Sequence, residues 1–167
     1  MAKFQLGDTI PTFTLPTITG ETFSFDQHQQ EHKSWHLIVF FRGAWCPVCE
    51  SELKDFQEHK SFFDEQNVHL LTISTDQQES LQELAEKNDL TFPILQDKDL
   101  TALKAFDVYY HSEDSPYEDH GTHGEPAYFL VDESGKLLYQ QQQTGPFGRP
   151  AVTELRKIIK YIKKNLK

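Results

Sequence analysis

The sequence predicts an α/β fold, a central mixed β-sheet flanked by helices, and three observations carry that reading. Trp35 to Phe41 and Val68 to Ile73 are near-continuous apolar runs, the pattern of strands covered on both faces. Each is followed by a stretch with apolar residues at helical spacing, as in a strand–helix–strand crossover. Near the end, Ala127 to Val131 and Leu137 to Tyr139 flank the turn Glu133-Ser134-Gly135 and read as an antiparallel hairpin.

Taken in order, Phe4 to Phe25 alternates apolar residues with Thr, Gly and Pro around a turn at Gly20, which predicts a small N-terminal hairpin. Asp26 to Ser34 is polar, rich in Gln and His, and reads as a loop or short helical turn. From Pro47 to about Gln66, Leu53, Phe56 and Phe63 recur at helical spacing and predict one amphipathic helix. Asp76 and Glu79 resemble a capping box that opens a helix to about Asn88, with Leu81 and Leu84 on its buried face. Thr91 to Leu95 is short and apolar, and Leu100 to Phe106 is helical in spacing. Pro150 starts a last helix whose stripe of Leu155, Ile158, Ile159, Ile162 and Leu166 packs on the sheet, with lysines outside it.

The length of 167 residues suits a single domain, 1–167, with no linker or repeat. A formal net charge of −10 argues against nucleic acid or an anionic membrane as partner, since both attract basic surfaces. The N-terminus lacks the apolar core of a secretory signal, and the longest apolar run, Leu37 to Phe41, is too short to span a bilayer. A cytoplasmic protein is the expectation, and a reducing compartment makes a lone Cys-x-x-Cys more catalytic than structural in character.

That motif is Trp45-Cys46-Pro47-Val48-Cys49, and it holds the two cysteines of the chain where the central strand gives way to a helix. Unpaired backbone N–H groups and the macrodipole at a helix start favour a thiolate over a thiol, and the thiolate is the attacking species. Pro47 fits the first helical position because its missing N–H has no partner there anyway. Cys46 then sits at the cap and Cys49 one turn on, within reach of a mixed disulfide or sulfenic acid. A bridge this local removes little entropy from the unfolded chain, so a stapling role is poor, and two cysteines alone do not complete a structural zinc site. A competing use of the same residues is a soft-metal site formed by Cys46, Cys49 and His123, or a metal held by His120 and His123 in the long acidic segment His111 to Glu125.

With these residues in view, the chain resembles the alkyl hydroperoxide reductase and thiol-specific antioxidant (AhpC/TSA) family of peroxiredoxins. The resemblance runs through Leu6-Gly7-Asp8-Thr9-Ile10-Pro11, the stretch Arg42 to Glu52, and Glu125-Pro126-Ala127-Tyr128-Phe129-Leu130-Val131-Asp132. It implies a thioredoxin-like fold with an N-terminal β-hairpin extension and a thiol-dependent antioxidant oxidoreductase that needs no cofactor. The substrate it implies is a peroxide or disulfide, with an external thiol reductant of thioredoxin or glutathione type. A gapless match to the peroxiredoxin pattern Pro-x-x-x-Thr-x-x-Cys puts Cys49 at the peroxidatic position and Arg42 at the proline. Trp-Cys-x-x-Cys is instead similar to thioredoxins, in which the first cysteine, here Cys46, attacks. The catalytic set implied is Cys46, Cys49 and Arg42, with Arg42 in place of the arginine that peroxiredoxins carry before the strand at Ala127. Trp45, Pro47, Glu125 and Pro126 form the implied substrate surface, with a cis bond expected at Glu125-Pro126 as in thioredoxins.

Overall fold

In the computed structural model, which describes residues 3–117 and 120–167, the chain opens with β1 (Thr14–Pro16) and β2 (Thr22–Ser24), paired antiparallel. Helix α1 (Phe25–His32) follows where a loop or short turn is expected from the polar composition. Its signal is Ser24, whose hydroxyl accepts from the Gln27 N–H and caps the first turn. Then come β3 (Trp35–Phe40), α2 (Pro47–Glu58), α3 (Lys60–Glu65), β4 (Val68–Ser74), α4 (Gln78–Lys87), β5 (Ile94–Gln96) and α5 (Thr101–Ala105). The two-residue strands β6 (Tyr110–His111) and β7 (His123–Gly124) pair with each other, and β8 (Ala127–Val131), β9 (Leu137–Gln142) and α6 (Val152–Lys164) complete the chain.

The main sheet has the order β5-β4-β3-β8-β9. β3 lies at its centre, parallel to β4 and antiparallel to β8, as its unbroken apolar run requires. One face packs against α2, α3, α4 and α6 through Leu53, Phe56, Phe63, Leu81, Leu155 and Ile159. The other is closed by the N-terminal segment, α1 and α5, with Phe13, Phe25, Phe106 and Phe129 in edge and stacked ring contacts.

Three local expectations are corrected. The helix expected from Pro47 to Gln66 breaks at His59, whose imidazole Nδ1–H turns back to donate to the Asp55 carbonyl. The break lets the neighbouring Phe62 and Phe63 both pack inward, which one straight stripe does not allow. The capping box is also absent: Gln77 is the cap residue of α4, and the Asp76 carboxylate instead accepts from the N–H groups of Ala44 and Gln77. Asp76 therefore ties the loop after β3 to the loop after β4. Finally, the Glu125-Pro126 peptide is trans. Both its flanks are engaged in extended pairing, Glu125 N–H to the Tyr109 carbonyl and the Pro126 carbonyl to the Gln143 N–H. An extended X-Pro step continues β7 into β8 without the turn that a cis bond serves.

Leu53 is fully buried on the inner face of α2, in its second turn, and holds that helix on the sheet. Leu53→Ala is expected to cost about 2–5 kcal/mol in chemical denaturation. A loss under about 1 kcal/mol would mean that this face is not close-packed.

Candidate active site

β3 ends at Phe40, and the chain passes through Arg42 and Trp45 to Cys46, which caps α2 with extended backbone. Pro47 takes the first helical position and is exposed, as its missing N–H permits. The Cys46 Sγ accepts from the Cys49 N–H at 3.3 Å, so the sulfur occupies the place where a capping oxygen usually sits. One turn on, Cys49 lies on the inner face of α2 beside Glu52, Leu53 and Phe56. Both thiols are free and buried.

Two guanidinium groups reach the sulfurs. Arg42 Nη1 lies 3.7 Å from Cys46 Sγ. Arg149, from the loop before α6, places Nη2 at 3.1 Å from Cys49 Sγ and 3.9 Å from Cys46 Sγ. Their effect is unequal. The Cys46 thiol is lowered from 9.0 to about 5, first by the hydrogen bond that the Cys49 thiol gives it, then by the Cys49 N–H and the two arginines, against the cost of burial. The Cys49 thiol is pushed up, by burial first and then by its role as donor to Cys46. Both shifts favour a single negative charge on the pair, held on Cys46.

Each arginine is held by a buried carboxylate. Arg42 Nε donates to Glu125 at 2.7 and 3.0 Å, while its Nη2 lies 3.3 Å from His123 Nε2. The Nδ1 of His123 is 3.0 Å from the Gly121 carbonyl, which can only accept, so Nδ1 carries the proton and Nε2 offers its lone pair to Arg42. Arg149 Nη1 donates to Glu52 at 3.0 Å and its Nε to the Pro146 carbonyl at 2.7 Å. Tyr128 of β8 donates to the other Glu52 oxygen, and burial raises the Glu52 pKa despite these partners. Both side chains of the Arg149–Glu52 pair are more than nine-tenths buried, where losing one partner strands the other's charge.

Trp45 covers this arrangement, with Arg42 4.8 Å from its ring and His120 stacked on it at 3.9 Å. The acidic segment thus reaches the cysteines from its His120 and His123 side, while its Glu118 and Asp119 lie outside the described residues. A groove of about 430 Å³ runs alongside, lined by Pro47, Val48, Glu52, Arg149 and Val152 among others. It leads from solvent to the two residues that anchor and contact the sulfurs. A larger groove of about 590 Å³ lies along β9 at Gln140 to Thr144, with neither cysteine in its lining.

The structure brings Cys46, Cys49, Arg42, Trp45 and Glu125 together, with Pro47 at the helix start and Pro126 one residue beyond Glu125. Glu125 contributes its carboxylate, bound to Arg42, while its backbone is engaged in pairing. The soft-metal alternative is not favoured: His123 already binds Gly121 and Arg42, and two guanidinium groups stand at the sulfurs where a cation would have to sit. Arg149 and Glu52 are not among the catalytic residues that the sequence implies. Glu52 did leave a trace, since positions 49, 52, 53 and 56 form one helical stripe and an acid on a buried stripe requires a cation.

Comparisons with known proteins give the family and the fold. Peroxiredoxin Bcp of Escherichia coli (strain K12) is 29% identical over 137 residues, covering 82% of this chain and 85% of that protein. The thiol-disulfide oxidoreductase ResA of Geobacillus kaustophilus is 26% identical over 133 residues, 79% of this chain and 66% of that one. The crystal structure of a cysteine-to-serine mutant of peroxiredoxin 6 of Arenicola marina superposes with a TM-score of 0.82 at 19% identity, over 96% of this chain and 74% of that one, and the shared architecture is the thioredoxin fold. The AhpC/TSA family profile matches residues 6–140, and the chain belongs to that family.

Proposed function

We propose that this chain is a thiol peroxidase in which Cys46 is the nucleophile and Cys49 the resolving thiol. The observation that carries the reading is the asymmetry of the two sulfurs. Cys46 Sγ accepts a backbone N–H at the start of α2 and lies near two guanidinium groups, while the Cys49 thiol donates. The Cys46 thiolate attacks the nearer oxygen of a peroxide, the O–O bond breaks, and the departing alkoxide or hydroxide takes a proton to leave as alcohol or water. Arg42 and Arg149 stabilise the charge that develops on the two oxygens. The Cys49 thiol then attacks the Cys46 sulfenic acid, water leaves, and an intramolecular disulfide forms. An external thiol reductant, one dithiol of thioredoxin type or two thiols of glutathione type, returns the pair to thiols by exchange and is itself oxidised to a disulfide. Burial of both sulfurs, at 1% and 0% exposure, favours a small peroxide over a protein disulfide as oxidant. A cytoplasmic setting, where such reductants are maintained, fits this cycle.

Stopped-flow consumption of hydrogen peroxide by the reduced protein tests the assignment. The expected result is a rate far above that of free thiol, complete loss in Cys46→Ser, and a single turnover ending in sulfenic acid in Cys49→Ser. A reactive Cys46→Ser with an inert Cys49→Ser would transfer the nucleophile to Cys49. A wild-type rate no faster than free thiol would remove the peroxidase reading.

The anchored arginine gives a second test. Arg149→Met is expected to lower the second-order rate constant by roughly 100-fold, the loss typical of one charge-stabilising donor. Because Arg149 helps hold the Cys46 pKa down, the deficit should be larger at pH 6 than at pH 8. Glu52→Gln keeps an acceptor for Arg149 and should lose less. A pH-independent deficit in Arg149→Met would show that Arg149 does not act on the thiolate.

A further inference from the structure

Far from the cysteines, at the opposite end of β3, four histidines stand together. The parallel register of β3 and β4 pairs His36 with His69, so both rings leave the sheet on the same face. That face is covered by α1, whose His28 and His32 are four apart and lie one turn above another. The ring centroids are 5.1 Å apart for His28 and His36, 4.9 Å for His28 and His69, 4.8 Å for His32 and His69, 5.3 Å for His36 and His69, and 4.1 Å for His28 and His32. His28 Nδ1 and His36 Nε2 share a hydrogen bond at 2.9 Å.

Four of these five spacings are close to those of a coordination sphere, and the His28–His32 spacing of 4.1 Å is shorter. Imidazoles bound tetrahedrally to zinc, with ring centres roughly 1.2 Å beyond the bound nitrogen, stand with centroids about 5.2 Å apart. Four aromatic donor–acceptor groups from three elements converge where one hydrogen bond uses two of them. We propose that His28, His32, His36 and His69 bind a late divalent transition-metal ion such as Zn2+, which clamps α1 onto β3 and β4.

The ion takes the place of the proton shared between His28 and His36. That proton moves to the other nitrogen of its ring, so the neutral imidazoles bind without net proton loss. The ring nitrogens do not yet converge as placed. His32 is exposed and His69 half-buried, so their rings are free to turn about Cβ–Cγ and present a nitrogen. Glu31 beside His28 and Asp64 beside His69 supply negative charge at the rim, while the Lys60 near His69 is paired with Asp64. The trio His111, His123 and Glu125, whose ligand atoms lie within 4.8 Å of one another, is the poorer candidate because the Arg42 guanidinium already occupies Glu125.

The test uses the full chain with Cys46→Ser and Cys49→Ser together, so that no thiolate competes for metal, and titrates it calorimetrically with zinc chloride. One zinc per chain is expected, weakened at least tenfold by His32→Ala and again by His69→Ala, and unchanged by His59→Ala outside the cluster. Zinc should raise the thermal midpoint of the parent protein and leave that of the His32→Ala/His69→Ala form unmoved. Cobalt should give the intense visible bands of a tetrahedral site in the parent only. Absence of saturable binding would overturn the proposal, as would binding that both alanine substitutions leave intact. Since His32 is exposed, loss of binding in His32→Ala with an unchanged far-ultraviolet spectrum separates ligand loss from unfolding.

Discussion

One contact organises the active end of this protein: the Cys46 sulfur in the capping position of α2, accepting the Cys49 N–H. Everything around it serves to keep a negative charge there. β3 delivers the chain to this point, and Asp76 fixes the loop by binding Ala44 N–H. The arginines approach from separate parts of the chain, each fastened to a carboxylate with almost no exposure. A helix start alone offers roughly half a unit of positive charge. Two anchored guanidinium groups add fixed cations that a small peroxide can share.

The two carboxylate–arginine pairs make the site rigid but also interdependent. Glu52 is buried, with Arg149 and Tyr128 on its two oxygens. Its cost of burial is offset only while Arg149 stays in place, and Arg149 in turn is within 3.1 Å of Cys49. Oxidation of the cysteines removes the thiolate from this balance. Arg149 is tied to its own loop by the bond from its Nε to the Pro146 carbonyl.

The sheet and most of its helices were legible in the sequence because burial on both faces leaves unbroken apolar runs, as in Trp35 to Phe41, and one-sided burial leaves helical stripes, as in Leu155 to Ile162. The Cys46-Pro47 helix start was legible because cap and first-position preferences are local. Where non-local groups decide, the local pattern misled. Asp76 looks like the first residue of a capping box but serves the loop of Ala44, and Pro126 looks like the cis-proline of thioredoxins but follows a trans bond that continues the strand. α1 was hidden by a polar face made largely of Gln and His, although Ser24 marked its start. Arg149 carries no local motif and meets the cysteines 100 residues away in sequence, so only Glu52 on the buried stripe of α2 pointed to it. The four histidines carry no local motif, because what unites them is the cross-strand register of His36 and His69 under one turn of helix.

The central claim, that the charge of the dithiol rests on Cys46, is tested most directly by alkylating the reduced protein with iodoacetamide over a range of pH and reading each cysteine by peptide mass spectrometry. The account expects Cys46 to be modified with a midpoint near 5, the value to which its surroundings lower it, and Cys49 to resist until the pair is disrupted. Labelling of Cys49 ahead of Cys46, or a Cys46 midpoint near the ordinary thiol value of 9.0, would contradict it.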